Sequence, residues 1–174
     1  KSNLNIQEKR LNSIYRIRDQ RNFIKTALQQ FSPEDYIIYS DNDEIPNLEN
    51  INFKSIKKKI IIFNQKLFYY KLNLTIPDIN WFGSKACKLK YLESVDFLRN
   101  IKNREYSFFR IDTLLSKYKR NSVKIINNGG WHFSNLKTAK DLENKYLNDE
   151  NHAEYELHNS SKEKIENNIE KKVV

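Results

Sequence analysis

Apolar positions recur at near-helical spacing over the first part of the chain. Leu11, Ile14, Phe23 and Leu28 belong to this stripe, with charged residues between them, and the pattern predicts one long helix over about residues 5–30. Pro33 and its polar neighbours then break the helix. The next apolar run, at 36–39, is short and bounded by turn-forming residues, which is typical of a buried strand.

Further along, strand-like and helix-like segments alternate. Segment 59–74 is rich in β-branched and aromatic residues and predicts one or two strands, and strands are also expected within 81–91 and at 123–126. Helices are expected over 47–58, 93–100 and 138–147, the last one capped by Thr138 with Asp141. This order predicts an α/β fold with a mixed sheet. We expect one domain over 1–158, followed by a charged C-terminal helix or exposed tail over 159–174.

Two carboxylates, Asp41 and Asp43, follow the first predicted strand directly. In an extended chain, side chains two residues apart point to the same face, so the two carboxylates would repel each other unless a cation lies between them. Mg²⁺ or Mn²⁺ would suit these oxygen ligands and would offset the charge on a leaving diphosphate. The alternative is a plain turn, because Asp and Asn favour turns and Pro46 restricts Ile45 to extended geometry. A calcium-binding EF-hand loop is excluded, because Ile45 and Pro46 stand where it needs an oxygen ligand and a glycine.

A second motif follows the predicted strand at 123–126. Two of the three glycines of the chain are adjacent there, Gly129 and Gly130, which indicates a positive φ or a close backbone approach. Trp131 offers a flat apolar face for a sugar ring, and His132 can ligate a metal or bond a phosphate. The alternative is a turn in the core, with Trp131 as packing and His132 as a satisfied hydrogen bonder.

Other candidate residues carry weaker signals. Asn73, with the aromatic residues before it, could line a binding groove, and Glu154, beside His152, could supply a base. Either could equally be solvated surface or sheet core. Cys87 is the single cysteine, so the chain forms no internal disulfide and needs no oxidising compartment.

Composition and charge narrow the function classes. The chain has 39% hydrophobic and 30% charged residues, and no apolar run approaches the roughly 18 residues of a membrane-spanning helix. We therefore expect no transmembrane segment. The net charge of +9 attracts nucleic acid, anionic lipid or phosphorylated small molecules. The lysines are spread along the chain without an arginine-rich block, which weakens the nucleic-acid interpretation, and we expect no nucleic-acid partner.

Taken together, the motifs resemble glycosyltransferase family 17, the family of the enzyme that adds the bisecting N-acetylglucosamine to N-glycans. The resemblance covers about residues 21–155. It is carried by Arg21 with 35–46, by 68–73 with 81–83, by the most specific piece 128–134, and by a looser Lys145 with 152–155.

The resemblance implies a GT-A-like fold, a mixed sheet flanked by helices, here without the first strands of that fold. It implies metal-dependent, inverting transfer of a sugar, expected to be N-acetylglucosamine, from a nucleotide-sugar donor such as UDP-N-acetylglucosamine to a glycan acceptor. The divalent metal would be Mn²⁺ or Mg²⁺. The implied metal contacts are Asp41, Asp43 and His132. The candidate bases are Glu44 and Glu154. The substrate-binding candidates are Arg21, Asn73, Trp81, Gly129, Gly130 and Trp131.

Two other functions stay open from the sequence. One is a non-catalytic relative that keeps the fold to bind glycans, and the other is a basic module that binds nucleic acid or another anionic polymer. No segment has the pattern of a signal peptide. We expect a cytoplasmic protein, free or peripheral to a membrane, or a Golgi-lumenal one if the source is eukaryotic.

Overall fold

A six-stranded mixed sheet forms the centre of the computed structural model, which describes residues 5–148 and 161–171. The strands are β1 (Tyr36–Tyr39), β2 (Glu44–Pro46), β3 (Ile60–Tyr69), β4 (Trp81–Lys88), β5 (Val123–Ile126) and β6 (Gly130–Ser134). Their order is β1-β4-β3-β6-β2, and β5 pairs with β3 alongside its first half. β3 runs antiparallel to β4 and parallel to β5 and β6. The predicted α/β class with a mixed sheet is confirmed.

Helices flank this sheet. They are α1 (Ile6–Ala27), α2 (Val95–Asn100), α3 (Asp112–Leu115), α4 (Ala139–Asn148) and α5 (Lys162–Lys171). Asn5 and Glu8 form a capping box at the start of α1, and Ser94 caps α2. Thr138 accepts a hydrogen bond from the Asp141 amide at the start of α4. The helices predicted near 5–30, 93–100 and 138–147 are confirmed, as is the Thr138 cap.

The helix predicted over 47–58 is wrong, because only the 3₁₀ turn Phe53–Ser55 forms there. The amide of Asn47 donates to the carbonyl of Gly129 instead of to a helical turn. Asn52 caps the short turn through its side chain. Local asparagine hydrogen bonds and the contact with Gly129 therefore replace the helix.

The hydrophobic core lies on both faces of β3. Ile60 and Ile62 pack towards α2, and Ile61 and Phe63 pack towards the opposite face. These four residues are almost inaccessible to solvent, which explains the near-continuous apolar run in the sequence. Cys87 lies in the same core, where burial raises the pKa of its thiol to about 12. It is a packing residue of the core.

The charged C-terminal segment, predicted to be a helix or an exposed tail, forms a helix over 162–171. It is not merely exposed, however. Ile165 is buried and forms a cluster with Ala139 and Leu142 of α4, and Ile169 packs against them. The i, i+4 spacing of the two isoleucines places them on one face of α5, which docks on α4. Within the residues that the structure describes, no helix combines the length and apolarity that crossing a bilayer requires.

Candidate functional site

The acidic motif after β1 forms a turn. The amide of Glu44 donates to the carbonyl of Asp41 at 3.0 Å, so residues 41–44 do not continue the extended strand. The two-residue alternation that placed Asp41 and Asp43 on one face is therefore wrong for this segment. Asp41 lies among cations, whereas Asp43 lies against His132.

Asp41 sits in a dense hydrogen-bond network. Its carboxylate accepts from the Tyr39 hydroxyl at 2.6 Å and from Arg99 at 2.9 Å, and Arg21 lies 3.5 Å away. Burial alone would raise the pKa of Asp41, but the Tyr39 hydrogen bond and the two arginines outweigh it and lower that pKa below its ordinary value. The carboxylate is therefore ionised at neutral pH.

Glu44 is the buried centre of the site. Its side chain is inaccessible to solvent and accepts from Arg99 at 3.2 Å, from the Trp81 indole at 3.1 Å and from the Asp41 amide at 3.2 Å. Gly83 makes this possible, because a Cβ at that position would collide with the carboxyl group of Glu44. In this arrangement an acceptor hydroxyl has no route to the carboxylate. The burial of Glu44 fits a positioning role better than the predicted role as a base.

His132 lies directly beside this centre. β2 and β6 pair in antiparallel fashion with Glu44 opposite His132, and the Trp81 ring stacks on the imidazole at 4.1 Å between centroids. Burial lowers the pKa of His132, although the Asp43 and Glu44 carboxylates oppose this. The imidazole is therefore neutral at neutral pH, as a metal ligand must be.

The Nδ1 atom of His132 is buried and has no hydrogen-bond partner in the described part of the chain. The nearest acid is Asp43, with 3.6 Å between Nδ1 and Oδ1. That separation is too long for a good hydrogen bond. A buried nitrogen without a partner costs about 1–3 kcal/mol, so the geometry favours a further group between these two side chains.

The two glycines permit a positive φ and close backbone contacts, as predicted. Gly130 has φ +127°, and a Cβ there would collide with the carbonyl of Ile45. Gly129 also approaches backbone closely, because a Cβ there would lie 2.8 Å from the carbonyl of Ile126. The contact at Gly130 lets β2 approach β6, whereas the contact at Gly129 lies against β5 and β3. Trp131, next along β6, points to the face opposite His132 and is partly exposed.

The two motifs converge, as the metal contacts implied by the resemblance require, but through Glu44, Trp81 and His132 more than through the aspartate pair. Arg21 and Trp81 also join the cluster. Asn73 lies in the turn after β3 and contributes none of the described hydrogen bonds of the cluster. Glu154 lies outside the described residues.

Arg99 and Tyr39 are site residues that sequence reasoning missed. Arg99 bonds Asp41, Glu44 and the Gly83 carbonyl, and Tyr39 bonds Asp41. Arg99 stands on a short helix in a chain with 31 basic residues, so nothing in the sequence singles it out. Tyr39 ends a predicted strand, and its position next to the acidic motif was the one available signal.

A metal ion would find two suitable donors here. Among the described residues, no three His, Cys, Asp or Glu side chains are grouped to hold a metal. Arg99 and Arg21 together already neutralise Asp41 and Glu44. Asp43, whose side chain is 41% exposed, and the neutral His132 keep free donor capacity. A carboxylate and an imidazole fit Mn²⁺, with the remaining positions left to water or phosphate.

A cavity of about 410 Å³ opens near the cluster, lined in part by Gln65, which bonds Ser84. The amide side chains of Asn64, Asn80 and Asn128 also line it. Comparison with protein-family models, with curated proteins and with solved structures finds no match for the chain.

Proposed function

We propose that the chain is a metal-dependent, inverting glycosyltransferase domain with a GT-A-like fold. It would move a sugar, expected to be N-acetylglucosamine, from a nucleotide-sugar donor such as UDP-N-acetylglucosamine to a glycan acceptor. The observation that carries the proposal is the buried, unpartnered Nδ1 of His132 facing the Asp43 carboxylate. The resemblance to glycosyltransferase family 17 supports it through the same residues.

Asp43 and His132 are the side chains that would hold the metal. When bound, Mn²⁺ or Mg²⁺ offsets the negative charge on the departing diphosphate. Arg21 lies at the same end of β1 and reaches Asp41 from α1. Because its side chain is partly exposed, it can turn the free edge of its guanidinium to a phosphate while its Nε keeps the Tyr39 hydrogen bond.

Inversion requires a direct displacement at the sugar. The acceptor oxygen attacks the anomeric carbon, the bond to the diphosphate breaks, and a base takes the hydroxyl proton. Since Glu44 is enclosed, the base role falls to the predicted Glu154. The amides that line the 410 Å³ cavity supply both donors and acceptors for sugar hydroxyls.

Thermal unfolding tests the metal step. Mn²⁺ and UDP together are expected to raise Tm more than either alone, and at about 100 times the Kd this corresponds to about 2.7 kcal/mol of stabilisation. Asp43→Asn and His132→Gln should each abolish the joint shift. Asp78→Asn, which changes a carboxylate of the loop before β4, is the matched control and should keep it. Loss of the shift in the control, or its persistence in Asp43→Asn, would refute the proposed ligands.

The second candidate, a non-catalytic glycan-binding relative, is favoured by Arg99 filling the space between Asp41 and Glu44. The two candidates differ in turnover. With water or a glycan hydroxyl as the acceptor of the sugar, the transferase releases UDP from UDP-N-acetylglucosamine in the presence of Mn²⁺ and loses this release in Asp43→Asn. A binding relative releases none, yet binds oligosaccharides without added metal.

A further inference from the structure

Five large apolar side chains project into solvent within a ten-residue segment around α3. Phe108, Phe109, Ile111, Leu114 and Leu115 form this group, which we call the apolar knob. Their exposures lie between 73% and 90%. The rings of Phe108 and Phe109 contact each other edge to face, 6.1 Å apart. Such concentrated exposure marks an interaction site, because single exposed apolar residues are common but clusters are not.

The knob stands on an ordered base. Thr113 is buried, and its hydroxyl donates to the Arg110 carbonyl at 2.6 Å. The Lys119 amide donates to the Ser116 hydroxyl, and the Lys102 amide donates to the Tyr118 carbonyl. The backbone hydrogen bonds fix the segment with its apolar side chains outward.

Basic residues flank the knob on both sides in the sequence and form what we call its rim. Between residues 102 and 120 the chain carries six basic and two acidic residues. Both acids are neutralised, because Asp112 pairs with Arg110 and Lys119 at 2.8 Å each and Glu105 lies 3.9 Å from Lys124. The rim therefore carries a net positive charge.

Lys102, Arg104 and Lys117 supply this surplus, since none of them makes an ion pair within residues 5–148 and 161–171. An apolar centre with an unneutralised basic rim is complementary to a surface that is negative outside and apolar beneath.

We propose that the apolar knob inserts into the interface of an anionic lipid bilayer. Phe and Leu side chains enter the boundary between headgroups and acyl chains, while Lys and Arg remain at the level of the anionic headgroups. The inference does not depend on the proposed transferase activity.

Two other occupants fit less well. A second copy of the chain carries the same basic rim and the same net charge of +9, so the copies repel each other. Protein interfaces are also depleted in lysine. A nucleic acid could stack on Phe108 and Phe109, but Ile111, Leu114 and Leu115 offer no flat face to a base.

Vesicle co-sedimentation of the full chain tests the proposal. We expect binding to vesicles of phosphatidylcholine with phosphatidylserine, and at least about tenfold weaker binding to phosphatidylcholine alone. Phe108→Ser/Phe109→Ser should weaken binding to the anionic vesicles by about tenfold or more. Phe23→Ser removes a 74%-exposed aromatic side chain from α1 and serves as the matched control that keeps full binding.

The thermal unfolding of the double variant should match that of the wild type, because both rings are exposed. The proposal is overturned if the wild type does not bind the anionic vesicles, or if the double variant binds them equally well. It is also overturned if the double variant instead loses a concentration-dependent dimer, seen by light scattering, or loses binding to a single-stranded oligonucleotide.

Discussion

At the scale of single residues, environment separates three acids that stand within four positions of each other. Asp41 is ion-paired, Glu44 is enclosed and Asp43 is partly exposed beside a neutral imidazole. Chemically similar carboxylates thus acquire different roles. Asp41 and Glu44 hold arginines in place, and Asp43 keeps oxygen lone pairs that can coordinate a metal.

Replacing Glu44 by Gln is expected to destabilise the fold by about 2–4 kcal/mol. The change keeps the volume but removes the charge that faces Arg99 and replaces one of the two oxygens that accept from Arg99, the Trp81 indole and the Asp41 amide. At least one buried donor then loses its acceptor. Urea denaturation measures the effect. Glu49→Gln, at an exposed position in the loop after β2, is the control and should stay within about 0.5 kcal/mol of the wild type.

The buried Lys85 predicts a pH effect on stability. Burial, assisted by the charge of Arg99 and opposed by Glu44, lowers the pKa of Lys85 to about 7 from its ordinary 10.5. Between these two values the unfolded chain binds a proton that the folded state has released, so the free energy of unfolding rises with pH. The rise is at most about 1.4 kcal/mol per pH unit.

Urea titrations at several pH values, compared with Lys85→Met, isolate this contribution. Lys85 also donates to the carbonyls of Arg99 and Ile101 at 2.7 and 2.6 Å, and these bonds favour the charged ammonium. If the difference in the free energy of unfolding between wild type and variant stays constant from pH 7 to 10, the two carbonyls outweigh burial and the amine stays protonated.

At the scale of elements, the pairing of β2 with β6 depends on a single glycine. Gly130→Ala is expected to cost about 2 kcal/mol or more, because the new Cβ meets the Ile45 backbone and φ +127° is unfavourable for alanine. Since this pair places Glu44 opposite His132, the variant should also lose the joint Mn²⁺ and UDP shift in Tm. A variant with normal stability and a normal shift would show that the pairing does not depend on Gly130.

The docking of α5 on α4 predicts a cavity effect. Ile165→Ala is expected to destabilise the protein by about 2–4 kcal/mol, because Ile165 is buried against Leu142. Glu170→Ala changes an exposed position of the same helix and controls for helix propensity. If Ile165→Ala is neutral in urea denaturation, α5 does not unfold cooperatively with the sheet.

Elements with a clear apolar period or run were predictable from the sequence, and elements that exist through tertiary pairing were not. α1 and β1 carry an apolar period or run bounded by clear breakers, so their bounds match closely. β2 has three residues and exists because β6 pairs with it, which is a tertiary contact that no local pattern encodes. The contacts of Arg99 are long-range in the same way. The glycine pair was the one local signal of the close approach.

At the scale of the whole molecule, charge predicts two kinds of anion binding that salt can separate. The chain carries 31 basic and 22 acidic residues, spread along its length. Any association with nucleic acid would therefore be diffuse and would release counterions. Its affinity should fall by about tenfold or more when salt rises from about 50 mM to about 200 mM, with no need for a metal.

Binding of UDP with Mn²⁺ should respond differently, because a buried histidine and a neighbouring aspartate would hold the metal, and such contacts are screened less than exposed charges. We expect the joint Tm shift to persist across the same salt series and to vanish with a chelator. Fluorescence anisotropy of a labelled oligonucleotide, measured in parallel, gives the comparison. Nucleic-acid binding that weakens with salt and ignores chelation, together with a UDP effect that also falls with salt and needs no metal, would favour a polyanion-binding module over a transferase. The net charge rather than the His132 site would then control recognition.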